Sequence, residues 1–246
     1  MADPHTIIFY DIASGPPVAP YAPNPWKTRY ALNFKGVDYK TEWVELPDVT
    51  SIRKKLDAAP VRFFGDGEPF HTLPVIEDQS TGRTVGDSFD IAVYLDKTYP
   101  NSPSLFAPST ISLHAAFNAH VDRIFTSGYL LFSHGLPFNP KTAVQSKAEF
   151  ERRAGVFWDE LTVRGEERKW ELEKYRASLG ELARFLRRGE GPFVGGKTAS
   201  YADLIIGAWL KFMSVTIEEW DEIQWWHDGL WGDLYRLLQE KYGSIR

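Results

Sequence analysis

Leu73 and Pro74 stand inside the apolar run Leu73, Pro74, Val75, Ile76, and about ten residues later Asp87 and Ser88 open a second apolar run, Phe89, Ile91, Ala92, Val93, Tyr94 and Leu95, with helical spacing. A proline within a strand removes a backbone donor. The strand is then an edge, or the preceding peptide is cis, and either way the main chain of Leu73 is open to a ligand. An acid followed by serine at a helix start brings free backbone N–H groups and the positive end of the helix dipole to a bound carboxylate. The acid itself suits an ammonium. The pair of features fits a small peptide-like ligand, although Ser88 is also what an ordinary helix cap looks like, and that reading stays open.

Composition removes several chemistries. With no cysteine among 246 residues, disulfides, thiolate metal sites and cysteine nucleophiles are excluded, so any sulfur chemistry comes with a ligand. A net charge of −5 and a pI near 5.7 give no footprint for nucleic acid or an anionic membrane. The N-terminus MADPHTIIFYDI has no charged segment leading into an apolar one, and no stretch of about 18 apolar residues occurs, so the expectation is a soluble cytoplasmic protein. The histidines at 5, 71, 114, 120, 134 and 227 show no HExxH or comparable spacing, and there is no G-x-S-x-G or P-loop. No metal site is expected. Aromatic residues make up 15% of the chain, more than a core of this size needs; they serve extra core packing or a cavity for flat apolar molecules.

The elements that must position these residues fall into two textures. Thr6 to Tyr10 reads as a buried strand, followed by a long proline-rich loop from Ala13 to Asn24. Asn24 then caps a helix with Pro25 at its first position, Trp26, Tyr30 and Phe34 on one face, and Gly36 as the stop. Tyr39 to Leu46 forms a second strand and Thr50 to Ala58 a short basic helix. Leu73 to Ile76 and Arg83 to Val85 form a hairpin, and Ser88 to Tyr99 a helix. The order is βαβαββα, with a parallel first pair and an antiparallel last pair, an α/β unit over residues 1–100. After Pro100 strand signals vanish, and residues 108–246 form an all-α domain. There one helix runs from Ser109 to His134, another begins near Thr142, and Leu172, Tyr175, Leu179, Leu182 and Leu186 stripe a third. Ser200 and Asp203 form a capping-box-like pair ahead of LIIGAWLKF, the expected buried centre.

LPVIED, then DSFDIAVYLD, then FVGGKTASYADLII, in that order and spacing, resemble the glutathione transferase superfamily over nearly the whole chain. More narrowly, PWKTRYALNFKG after a long loop is similar to the lignin β-etherase branch and the etherase-like, fungal-specific transferases. The resemblance implies a thioredoxin-like N-terminal half, a homodimer, and bound glutathione beside a cleft for hydrophobic aromatic small molecules. It further implies that the backbone of Leu73, before a cis Pro74, pairs with the cysteinyl part of glutathione. Asp87 and Ser88 would hold the γ-glutamyl ammonium and carboxylate, and His71 or Arg62 the glycyl carboxylate. Phe117, Phe125 and Tyr129, with Trp220, Trp225 and Trp226, are candidates for the second-ligand wall or plain core.

The pattern breaks where the resemblance places the catalytic residue. Transferases of this branch usually carry Ser or Cys two residues before the helix cap, and here that residue is Ala22, in Ala22, Pro23, Asn24, Pro25, Trp26, Lys27. Alanine neither donates a hydrogen bond nor forms a mixed disulfide, so thiol–disulfide reductase chemistry is excluded and transferase chemistry needs another source of thiolate stabilisation. Asn24, whose amide can donate while its oxygen caps, is the candidate. Tyr10, Ser14 and Tyr21 are further hydroxyls near this end of the sheet. The alternative is a ligandin that carries aromatic compounds with glutathione as co-ligand and little turnover.

Overall fold

The computed structural model describes residues 6–246; His5 lies outside them. β1 (Ile7–Ile12) turns Ile7, Phe9 and Asp11 to one buried face. α1 (Pro23–Lys35) follows and ends at Gly36 in the left-handed conformation, φ 66°. The expected cap is corrected here: Ala22 is the N-cap, and Asn24 lies inside the first turn. Pro23 and Pro25 both carry a helical φ and lack the N–H that a first turn leaves unbonded, so the helix begins at the earlier proline. β2 (Tyr39–Val44) pairs parallel with β1, and α2 (Val49–Lys55) follows it. β3 (Arg62–Phe63) and β4 (Pro69–Phe70) form a separate two-residue ladder, too short to show alternation in the sequence. β5 (Val75–Asp78) and β6 (Arg83–Gly86) are the expected hairpin, giving the sheet order β2-β1-β5-β6. α3 (Ser88–Thr98) closes the βαβαββα frame. Its N-cap is Asp87, so the reading of Ser88 as the cap is also corrected.

A buried ion pair ties α1 to the sheet. Arg29 and Asp11 are fully buried and 2.7 Å apart, and Arg29 also donates to Tyr39 and Thr41. Its guanidinium lies 5.0–5.7 Å from the ring centres of Phe9, Trp26, Tyr39 and Trp43. Burial pushes the Asp11 carboxyl up to about 6, against the lowering pull of Arg29.

By internal contacts the chain forms two compact units, and the helices of the second come from Phe106–Pro137 and Ala154–Tyr242. They are α4 (Ile111–Thr126), α5 (Tyr129–Phe132), α7 (Gly165–Leu186), α8 (Tyr201–Thr216), α9 (Trp220–Ile223) and α10 (Leu230–Tyr242), while α6 (Ala143–Ala154) packs elsewhere. α8 is the buried centre, with α4 and α10 against it. The capping box is present: the Asp203 carboxylate accepts from the Ser200 N–H at 2.8 Å and from the Val194 N–H at 2.7 Å. The single helix expected from Ser109 to His134 is broken instead at Ser127 and Gly128. Two glycines in this stretch meet close tertiary neighbours. Tyr175 lies so close to Gly128 that a Cβ there would fall 2.8 Å from its ring, and a Cβ on Gly135 would fall 1.9 Å from the Thr216 carbonyl oxygen. Gly135→Ala is therefore expected to cost about 1–3 kcal/mol through overpacking, read as a lower denaturant midpoint at unchanged slope.

Residues 138–153 belong to the first unit. Glu45 accepts from the Asn139 amide at 2.6 Å and from the Thr142 hydroxyl. Gly15 sits against the Phe138 carbonyl, where a Cβ would have 3.0 Å. Arg152 lies over the Phe64 ring at 4.9 Å and Arg153 over Phe70 at 5.4 Å. The long loop after β1 is itself closed, because Ser14 N–H donates to the Ala19 carbonyl and Ala19 N–H to the Ser14 hydroxyl.

Candidate functional site

The hairpin register decides what the acid–Ser turn faces. Val75 pairs with Gly86, so the same antiparallel count sets Pro74 opposite Asp87, and the Asp87 N–H reaches the Pro74 carbonyl at 3.4 Å. The Leu73–Pro74 peptide is cis. The N–H of Leu73 has no partner among the described residues, and its carbonyl accepts only the Thr72 hydroxyl, at 3.3 Å. A main-chain donor left open beside a helix start is the arrangement that pairs an extended peptide.

Asp87 adopts φ +85°, a backbone region that L side chains avoid, and its Oδ1 accepts from the Phe89 and Asp90 N–H groups at 2.7 and 3.4 Å. Ser88, first residue of α3, is buried. His71 is 7% exposed and its Nδ1 has no partner. Burial and the neighbouring Arg53, Lys54, Arg153 and Arg152 cations hold its pKa below the usual imidazole range. At neutral pH it is therefore an uncharged ring in a cationic surrounding. Arg62 points away from this role, with its guanidinium 4.2 Å from the Phe70 ring centre.

At the start of α1, Pro23 and Pro25 have no N–H, and the Trp26 N–H is spent on the Ala22 carbonyl. Asn24 is then the donor of that turn: neither its backbone N–H nor its amide has a partner among the described residues. The rival hydroxyls are committed or masked. Tyr10 donates to Glu77 at 2.5 Å, and Ser14 donates to the Gly15 carbonyl inside its own loop. Tyr21 is buried, and burial, with the Asp11 charge, pushes its pKa up, so it holds its proton.

In the second unit Phe125 stacks on Trp209 at 5.6 Å and Trp226 is buried, so both are core. Tyr129 and Trp225 are exposed, and Phe117 and Trp220 half-buried. Arg53, which the sequence showed only as one charge of a basic helix, is 1% exposed and lies against Thr72, Ala59 and Gly86. No cluster of three or more metal-ligating side chains occurs among the described residues, and no helix among them is long and apolar enough to cross a membrane.

Comparison with known proteins agrees with this geometry. Residues 21–98 match the N-terminal domain and residues 112–242 the C-terminal domain of glutathione S-transferase. A glutathione S-transferase of Ceriporiopsis subvermispora, solved in complex with glutathione, is 39% identical, with 98% of each chain covered and a TM-score of 0.88. Glutathione transferase GSTFuA3 from Phanerochaete chrysosporium is 29% identical, again over 98% of each chain and at a TM-score of 0.88. The glutathione S-transferase-like protein ustS of Aspergillus flavus is 29% identical over 234 residues, covering 87% of this chain and 83% of that one. With both halves matched and the thioredoxin-like sheet and helical unit in place, the chain belongs to the glutathione S-transferase family.

Proposed function

We propose that this protein binds glutathione across the Leu73–Pro74 and Asp87–Ser88 turns, as co-substrate, and joins its sulfur to hydrophobic aromatic electrophiles. The observation that carries the reading is the unpartnered Leu73 N–H beside cis Pro74, set across the hairpin from a capped helix start. The cysteinyl backbone of the tripeptide fits that edge, and its γ-glutamyl end fits the carboxylate and helix N-terminus at Asp87 and Ser88. The cations around His71 suit the glycyl carboxylate. That the Ceriporiopsis relative was solved with glutathione supports the same assignment.

Thiolate stabilisation falls to Asn24 in this reading. The thiol gives its proton to solvent, and the sulfur forms a bond to the electrophilic carbon as the leaving group departs with its electron pair. Asn24 holds the developing thiolate by its free N–H groups and by the positive end of α1. In this reading the protein is a cytoplasmic homodimer akin to the etherase-like, fungal-specific transferases, which the motif PWKTRYALNFKG after a long loop supports. Ala22 favours a second reading, a ligandin for aromatic compounds with glutathione as co-ligand.

Retention on immobilised glutathione and a thermal upshift with millimolar glutathione are the first expected results; absence of both overturns the two readings together. Thioether formation with a chlorodinitrobenzene-type electrophile then separates them. The catalytic reading expects activity in the wild type and a loss of at least tenfold in Asn24→Ala. An inactive wild type that gains activity as Ala22→Ser is the ligandin.

A further inference from the structure

Two cavities in the first unit share Arg53 in their lining. One, of about 510 Å³, is bounded by Ala59, Pro60, Arg83, Gly86 and Asp87; the other, of about 310 Å³, by Lys54, Pro60 and His71; Arg53 lines both. Arg53 comes from the middle of α2 and is 1% exposed. Its Nη1 donates to the Thr72 carbonyl at 2.5 Å, one residue before Leu73, and its Nη2 donates to the Ala59 carbonyl. The guanidinium also fills the space above Gly86, one residue before Asp87: a Cβ on Gly86 would lie 2.6 Å from Nη2 and 3.1 Å from Cζ. The Asp87 charge offsets part of the burial cost of this cation.

We propose that Arg53 is a positioning residue that sets the spacing between the Leu73–Pro74 turn and the Asp87–Ser88 turn, and through that spacing the affinity for glutathione. The inference rests on the glutathione reading above. A fork-shaped side chain does this where an ammonium would not, because two of its N–H groups reach two carbonyls at once while its flat face accepts a glycine backbone. Gly86 is then glycine because of Arg53, since a methyl group there would drive the guanidinium off Thr72. Arg53 touches no ligand atom in this role. It ties the residue before Leu73 to the residue before Asp87 through one side chain.

The test is a double-mutant comparison read by calorimetric titration of glutathione, alongside amide hydrogen exchange without ligand. Arg53→Met is expected to raise the Kd at least tenfold and to speed exchange at Asp87, whose N–H donates to the Pro74 carbonyl, and at Phe89, with Arg53→Lys intermediate. Gly86→Ala alone is expected to raise the Kd comparably. The combined variant should bind no worse than Arg53→Met, because the methyl group no longer meets a guanidinium. Multiplicative effects in the combined variant, or an unchanged Kd in a folded Arg53→Met, overturn the proposal. A wild type that binds no glutathione fails the functional reading instead, and the exchange pattern then still reports on the brace.

Discussion

Arg29→Met is expected to lower the stability of the protein by about 3–5 kcal/mol, because it removes one partner of a fully buried ion pair and leaves the Asp11 charge unmatched in the core. A shift of that size should lower the melting temperature by roughly 10 °C. The loss also carries a pH signature. The Asp11 carboxyl already sits at about 6 with Arg29 present, well above its ordinary value, so its native-state contribution is full in acid and fades as pH rises through that value. Without Arg29 the folded value climbs further, and native Asp11 must either keep a proton or be charged without a partner. The difference between wild type and Arg29→Met should therefore be larger at pH 8 than at pH 5, measured by urea unfolding at both. Removing both charges, as Asp11→Leu with Arg29→Met, should recover most of the loss. Equal losses at the two pH values, or no recovery in the pair, would show that the aromatic enclosure of Arg29 and not the ion pair holds α1 to the sheet.

The second large effect is on binding. Asp87 keeps φ +85° although a side chain is strained there, and what offsets the strain is its own cap on the Phe89 and Asp90 N–H groups. Glycine at this position relieves the backbone while losing the cap, two changes of about 1 kcal/mol each and opposite sign, so Asp87→Gly should stay within about 1 kcal/mol of wild type. Its glutathione affinity should nevertheless fall about 30-fold or more, since losing one side of a partly buried charged contact costs about 2–5 kcal/mol. Asp87→Ala should lose both stability and binding. Asp87→Asn keeps an oxygen for the cap, and should lose chiefly binding. If affinity instead tracked stability across the three, Asp87 would be a cap and no more.

What could be read in the sequence follows from how local each signal is. The first strand, the Trp26–Tyr30–Phe34 face stopped by Gly36, the hairpin before Asp87 and the Ser200–Asp203 box are all set by neighbours within a turn or a ladder rung, and each is present. Two prolines, at 23 and 25, fit the first turn equally well by composition, so local sequence does not separate Ala22 from Asn24 as the cap. At the helix break, Gly128 lies against Tyr175, far along the chain, and no local pattern announces that contact. Arg29 and Arg53 were the least legible. A charge on an amphipathic helix ordinarily faces water, and only the fold shows that these two face carbonyls, a carboxylate and aromatic rings. The candidate site divides the same way: Leu73, Pro74, Asp87 and Ser88 lie on one hairpin and could be seen together, whereas Arg53 joins it through space.

The clasp between Glu45 and the segment holding Asn139 and Thr142 has a consequence for the order of synthesis. A chain leaving the ribosome N-terminus first releases the whole sheet well before α6, yet α6 supplies the arginines that cover Phe64 and Phe70. The thioredoxin-like unit therefore reaches its full set of contacts only after α4 and α5, and then residues 243–246 beyond α10, have also emerged. Nascent sheet and nascent helices share a stretch of translation during which neither is complete, and a fragment ending at residue 105 would carry the hairpin of the candidate site without the helix that shields its neighbour.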